Sequence, residues 1–397
     1  MIVGEGMQLN TNYDDLYRQI KNMEEHFLDC TNLNSSAVYY GAYQNLVQLY
    51  FWATYQMPCN KKINRNSYVR FSGRQHLNSL GNKRIENFIS SQKSHLSFIS
   101  STFFDYADIV DDFVSSKFYE SIYWKNEPVV SDSEEQDILY SFFDECCPEM
   151  RDLFDSYRER GKIYRLPQAP FFSNRDGCTF YNPIENDSDI FCHPKIHSLK
   201  LSSLMVHELS HALDFSRYSL KASPVNVCLY QMRSPFCEVP AFYHQFRFYD
   251  YLLRNGIYKD AVIIELTGQL VRALEDMDNL LLLSLFPPEN LRKQSELLSK
   301  NETLLTILEN GKEDCPIEFD DSKVEEDEMV SLDEAIQYSY GPILGLALMG
   351  DEELYRKFSM IRGSYFDIDK LSSIGLSPQD VQKKVMKKCD CLLGKYL

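Results

Sequence analysis

Five residues constrain this chain more than any others: His207-Glu208-Leu209-Ser210-His211. They lie in the run Ser202 to Phe215, where Leu204, Met205, Val206, Leu209, Ala212 and Leu213 predict a helix buried in a core. On a helix, positions i and i+4 share a face one turn apart, so both imidazoles can grip one zinc ion. Glu208, beside the first histidine, can reach a metal-bound water and take its proton. A blander account exists, because the pattern also occurs by chance on surface helices and buried histidines often only hydrogen-bond. The apolar frame weighs against it: polar groups in a buried helix must be satisfied.

Catalytic zinc takes three protein ligands and keeps one position open. Glu238 is the candidate third ligand. It opens an apolar, aromatic helix, Phe236-Cys-Glu-Val-Pro-Ala-Phe-Tyr-His-Gln-Phe246, where a carboxylate is costly to bury unpaired. The alternative for Glu238 is an acid that merely complements the helix dipole. Asp214 and His244 are weaker ligand candidates, and Asp214 is better read as a hydrogen-bond acceptor behind the ligands. His193 and His197 precede the helix at spacings poor for ligation.

Composition narrows the classes. A net charge of −17 repels phosphate backbones and argues against nucleic-acid binding. The 26 Tyr and 25 Phe suit a packed protein and exclude a disordered one. The 11 cysteines are odd in number and form no framework, which fits reduced thiols. No apolar run is long enough to span a bilayer, and the first residues lack a basic patch followed by an apolar stretch. These features predict a cytoplasmic protein that binds no membrane, with secretion as an effector without such a leader left open.

Along the chain, helical periodicity is expected over 11–55, then a basic loop over 58–75, then helices over 79–90, 92–104 and 105–122. Asp105, Asp108, Asp111 and Asp112 read as a solvated helix face. Ser133, with Gln136 three residues on, predicts a capped helix running towards Phe143, and Pro148 opens another that Gly161 ends. Three short β-prone stretches follow, Lys162 to Leu166, Gly177 to Asn182 and Asp189 to His193. They predict a small sheet just before the zinc-binding helix, of a kind that can pair with an extended peptide by strand addition. Residues 216–234 read as irregular. Helices are then expected over 237–254, 258–285, 287–299 and 301–310, an acidic loop over 311–330, and helices over 331–349, 351–362 and 378–393.

On these residues the chain resembles the oligoendopeptidase F and thimet oligopeptidase family of zinc metallopeptidases. His207-Glu-Leu-Ser-His-Ala-Leu-Asp-Phe215 and Phe236-Cys-Glu-Val-Pro are similar to that family's HExGH and downstream F-x-E-x-P-S. Pro148 to Lys162 resembles the helix before its active-site sheet. Ala335-Ile-Gln-Tyr-Ser-Tyr-Gly-Pro-Ile-Leu-Gly is similar to its Tyr-x-Tyr segment, and Tyr355 to Phe358 with Leu371 to Leu376 resembles its closing stretch. The likeness covers roughly residues 145 to 390. The family's glycine is Ser210 here, its serine is Ala241, a later glutamate is Gln245, and no histidine follows His244.

The resemblance implies a mainly α, zincin-like metallopeptidase, with helical lobes around a cleft and one small β-sheet beside the HExxH helix. It implies an N-terminal helical lobe over 1–145 and a catalytic domain over 146–397. It implies one Zn²⁺ on His207, His211 and Glu238, with Glu208 as general base and Tyr338 or Tyr340 as oxyanion donor. The expected reaction is hydrolysis of peptide bonds in oligopeptides. The departures leave two rivals: a protease dedicated to one protein substrate, and a catalytically impaired binding protein on the same fold.

Overall fold

The computed structural model describes residues 106–123, 128–165, 177–182, 186–192, 199–222, 236–285, 332–361 and 368–393, with isolated positions between 227 and 234. The helices expected over 11–55, 79–104 and 287–310, the loops over 58–75 and 311–330, and His193 and His197 lie outside the described residues.

After a helical stretch at 106–114, the elements in order are α1 (Lys117–Tyr123), α2 (Asp132–Cys146) and α3 (Pro148–Glu159), then β1 (Ile163–Arg165), β2 (Gly177–Asn182) and β3 (Asp187–Cys192). Next come α4 (Leu199–Ser219), α5 (Val239–Asn255), α6 (Lys259–Leu285), α7 (Leu332–Leu348), α8 (Glu352–Ile361), α9 (Ile368–Ser373) and α10 (Pro378–Leu393). The described chain is mainly helical, with one small sheet packed on the HExxH helix. In that sheet β3 is central, parallel to β1 and antiparallel to β2, with Thr179 opposite Ile190.

The helix α4 is the hub. It packs against α5, against β3 and β2 of the sheet, and against α3. Leu201, Met205, Val206, Leu209, Ala212 and Phe215 are all buried, and so are Ser203, Ser210 and Asp214 on the opposite side, so burial runs round the helix rather than along one stripe. It continues to Ser219, into the stretch expected to be irregular from 216. Nothing in Ser216-Arg-Tyr-Ser219 breaks a helix, and Pro224 acts only after it has ended. The first turn of α2 differs too. Its cap is Ser131, not Ser133: the Ser131 hydroxyl accepts from the Glu134 N–H at 3.3 Å, and Ser133 lies within the helix.

α5 starts with Pro240 in its first turn and ends at Gly256, whose φ of 70° lets its N–H return to Leu252 O. It packs most extensively against α7, which also contacts α6 and α10. One buried apolar cluster joins all these layers, from Tyr106 to Leu393, and residues 106–146 belong to it. Phe142 of α2, for example, meets Phe248 of α5 edge-on at 5.1 Å between ring centroids. No helix among the described residues is long and apolar enough to cross a membrane.

Candidate metal centre

α4 stacks His207 and His211 one turn apart, with ring centroids 4.9 Å from each other. The start of α5 brings Glu238 across to them. Glu238 Oε2 lies 3.2 Å from His207 Nε2 and 3.3 Å from His211 Nε2, and the two Nε2 atoms are 3.3 Å apart. Ligands about 2.1 Å from a tetrahedral zinc would stand roughly 3.4 Å from one another. The three atoms therefore have the spacing of one face of such a coordination shell. Among the described residues this is the only group of three His, Cys, Asp or Glu side chains so converged.

The electrostatics ask for a positive charge at the centre of the triad. Burial alone would raise the Glu238 carboxyl, but the His211 and His207 imidazoles hold it well below the usual carboxylate range. Burial alone would lower His211, and Glu238 instead drives it well above its ordinary value. Glu238 Oε2 is buried and receives no hydrogen bond of good geometry. Two imidazoles and a carboxylate oxygen are the donor set zinc accepts, and a metal ion meets the same demand with neutral rings. The residues present fit the ion.

Behind the triad, His207 Nδ1 stands 3.1 Å from Gln245 Oε1, and Gln245 Nε2 donates to Tyr249 OH at 3.1 Å. An amide oxygen at Nδ1 fixes the proton there and leaves Nε2 its lone pair. Phe242 meets His207 edge-on at 5.1 Å, and Phe215 stacks on His211 at 5.8 Å. The Cys237 thiol lies beside His211, and burial pushes it up to about 11. Ser210 is buried and returns its hydroxyl to Val206 O at 2.5 Å, within its own helix.

Glu208 faces β2 and is buried. The Thr179 hydroxyl lies 2.7 Å from Glu208 Oε2 and 2.9 Å from the Glu208 carbonyl oxygen. Burial raises the Glu208 carboxyl, although the two imidazoles and Thr179 pull the other way. Tyr338 is half-buried and edge-on to Phe242 at 6.5 Å. Tyr340 is fully buried against Phe236, and burial holds its phenol well above the ordinary value. Asp214 is buried in the field of Cys237 and is not one of the three converged side chains. His244 sits on another face of α5, between Tyr243 and Tyr355, where burial keeps its ring neutral.

Three residues at or beside the group were not singled out by sequence reasoning. Thr179 had a faint signal: β2 alternates, with Thr179 and Tyr181 buried and Cys178 and Phe180 less so, which marks a polar residue facing inward. Asp276, on α6, lies within the field of Glu238, and burial pushes its carboxyl up to about 7. Gln231 binds the edge of β2. The last two carry no sequence signal, because their neighbours are set by tertiary packing. No protein-family model matches the chain, and no curated protein or solved structure matches it.

Proposed function

We propose that this chain is a zinc-dependent peptidase with a zincin-like site of the oligoendopeptidase F and thimet oligopeptidase type. The observation that carries the reading is the mutual spacing of His207 Nε2, His211 Nε2 and Glu238 Oε2 at 3.2 to 3.3 Å. When bound, zinc supplies Lewis acidity that polarises a carbonyl oxygen and lowers the pKa of water. His207 and His211 bring neutral nitrogens and Glu238 the negative charge. Glu208 accepts the proton of the attacking water and passes it to the leaving amine. The Thr179 hydroxyl holds Oε2, which leaves Oε1 for that transfer. Burial makes Glu208 a stronger base than a solvated carboxylate. Tyr338, only half-buried, is more open than the fully buried Tyr340 to donate to a developing oxyanion. The substrates are oligopeptides, or a single protein partner taken up as an extended segment.

Gln245 favours a second reading. A neutral amide behind His207 raises ligand basicity less than a carboxylate does, which suits a zinc-holding binding protein with little turnover. The test combines zinc stoichiometry with cleavage of a quenched peptide library and of intact proteins. Wild type should hold one zinc per chain and cleave. Glu208→Gln should keep the zinc and lose hydrolysis by at least about 100-fold. Zinc-loaded Glu208→Gln protein that cleaves like wild type would overturn the mechanism. One bound zinc without turnover in wild type would favour the binding protein.

A further inference from the structure

Among the described residues the sheet order β1-β3-β2 leaves β2 at an edge. That edge is taken by a side chain. Gln231 Nε2 donates to Thr179 O at 2.9 Å, and Gln231 Oε1 accepts from the Tyr181 N–H at 3.3 Å. A carboxamide offers one face with a donor and an acceptor, as a peptide group of a neighbouring strand does. Gln231 is thus bonded to β2 as one residue of an added strand would be. It does so at the residue whose hydroxyl holds Glu208.

The contact is built from two sides. Tyr230 packs edge-on against Phe215 at 6.2 Å, and its hydroxyl donates to Phe236 O at 3.2 Å. From α7, Gln337 Nε2 donates to Gln231 O at 3.3 Å and to Ser234 O at 3.0 Å. These bonds fasten the backbone that carries Gln231, so the carboxamide is held at the strand edge rather than merely near it.

We propose that Gln231 is a built-in occupant of the strand-pairing position, and that an extended peptide binds beside Glu208 by displacing its carboxamide from Thr179 O and Tyr181 N–H. The inference rests on the peptidase reading above. A peptide that exchanges these bonds gains little from its main chain, since it replaces two hydrogen bonds with two others. Affinity must then come from side-chain contacts, which makes Gln231 a specificity-determining residue.

Binding is the readout, in zinc-loaded Glu208→Gln protein, so that cleavage does not enter. The probe is a fluorescein-labelled pool of random octapeptides followed by anisotropy, beside a matched pool with N-methylated backbones. Gln231→Ala should tighten binding of the first pool about 10-fold, near the net value of one hydrogen bond. It should do nothing for the N-methylated pool, which cannot donate to Thr179 O. Gln231→Glu, which keeps the acceptor and loses the donor, and Gln337→Ala should shift binding the same way by less. They also carry the test if Gln231→Ala does not fold. Unchanged or weaker binding in the folded variants, or an equal gain for both pools, overturns the proposal. If wild type cleaves neither peptides nor intact proteins yet Gln231→Ala binds tighter, the peptidase reading falls and the occupied edge stands. If wild type cleaves and the variants bind no tighter, the occupied edge alone falls.

Discussion

Asp276 is half-buried on α6, and burial pushes its carboxyl up to about 7; Arg272 opposes that rise, while Glu275 and Glu238 add to it. An unfolded aspartate titrates near 3.9. Between about pH 4 and about 7 the folded state therefore holds a proton that the unfolded state has released, and stability falls as pH rises through that window. Above it both states are ionised and the contribution is gone. In chelated protein, Asp276→Asn should gain on wild type in urea midpoint from pH 4 to 7, and gain no more above about 8. A gap that stays constant across the window would show that Asp276 titrates normally. At this scale the converged group was legible in the sequence: a helix dictates that His207 and His211 share a face, and Glu238 stood out as a carboxylate opening an apolar helix. Thr179 was only faintly legible, and Gln231 and Asp276 were not legible at all, because each acquires its role from a partner far away in the chain.

Between elements, the decisive contact is α5 against α7. Gly341 and Gly345 let the two helices approach where larger residues would hold them apart. A Cβ on Gly345 would stand 2.8 Å from Phe242 Cβ and 2.9 Å from Tyr243 N, and one on Gly341 would stand 2.6 Å from Glu238 Cβ. Gly345→Ala should destabilise the protein by about 1–2 kcal/mol in urea unfolding, the overpacking outweighing alanine's better helix propensity. Gly341→Ala presses on the ligand helix at Glu238 itself, so its clearer signature should be a weaker zinc affinity in a chelator competition. The helices were legible from periodicity and punctuation, as the ends of α5 at Pro240 and Gly256 illustrate. The length of α4 and the cap of α2 were not. Both turn on which of several compatible residues the packed helix uses, and local propensity does not decide that.

Over the whole molecule, the candidate ligands lie on two helices that one core locks together, so occupancy of the site by a metal should be felt as global stability. Zinc at about 100 times its dissociation constant should add about 2.7 kcal/mol to unfolding. The melting temperature should climb with added zinc, and Glu238→Ala should abolish most of that climb. A melting curve indifferent to zinc would mean that the triad takes no metal. The mainly helical architecture with one small sheet was legible from the switch of pattern near residue 162. The layering of α7 between α5, α6 and α10 was not, because nothing in a linear pattern says which helix faces which.

The two helices that bear the triad lie close in the chain, with all three of its residues between 207 and 238. Closing so short a loop costs little chain entropy, and that cost grows only logarithmically with length. During refolding, α4 and α5 can therefore meet before α7 arrives from beyond residue 331. A cation present at that moment would bind the helix pair early and speed its assembly. The order of events would then run from metal to buttress, with the glycine-lined face of α7 closing last over a pair already formed.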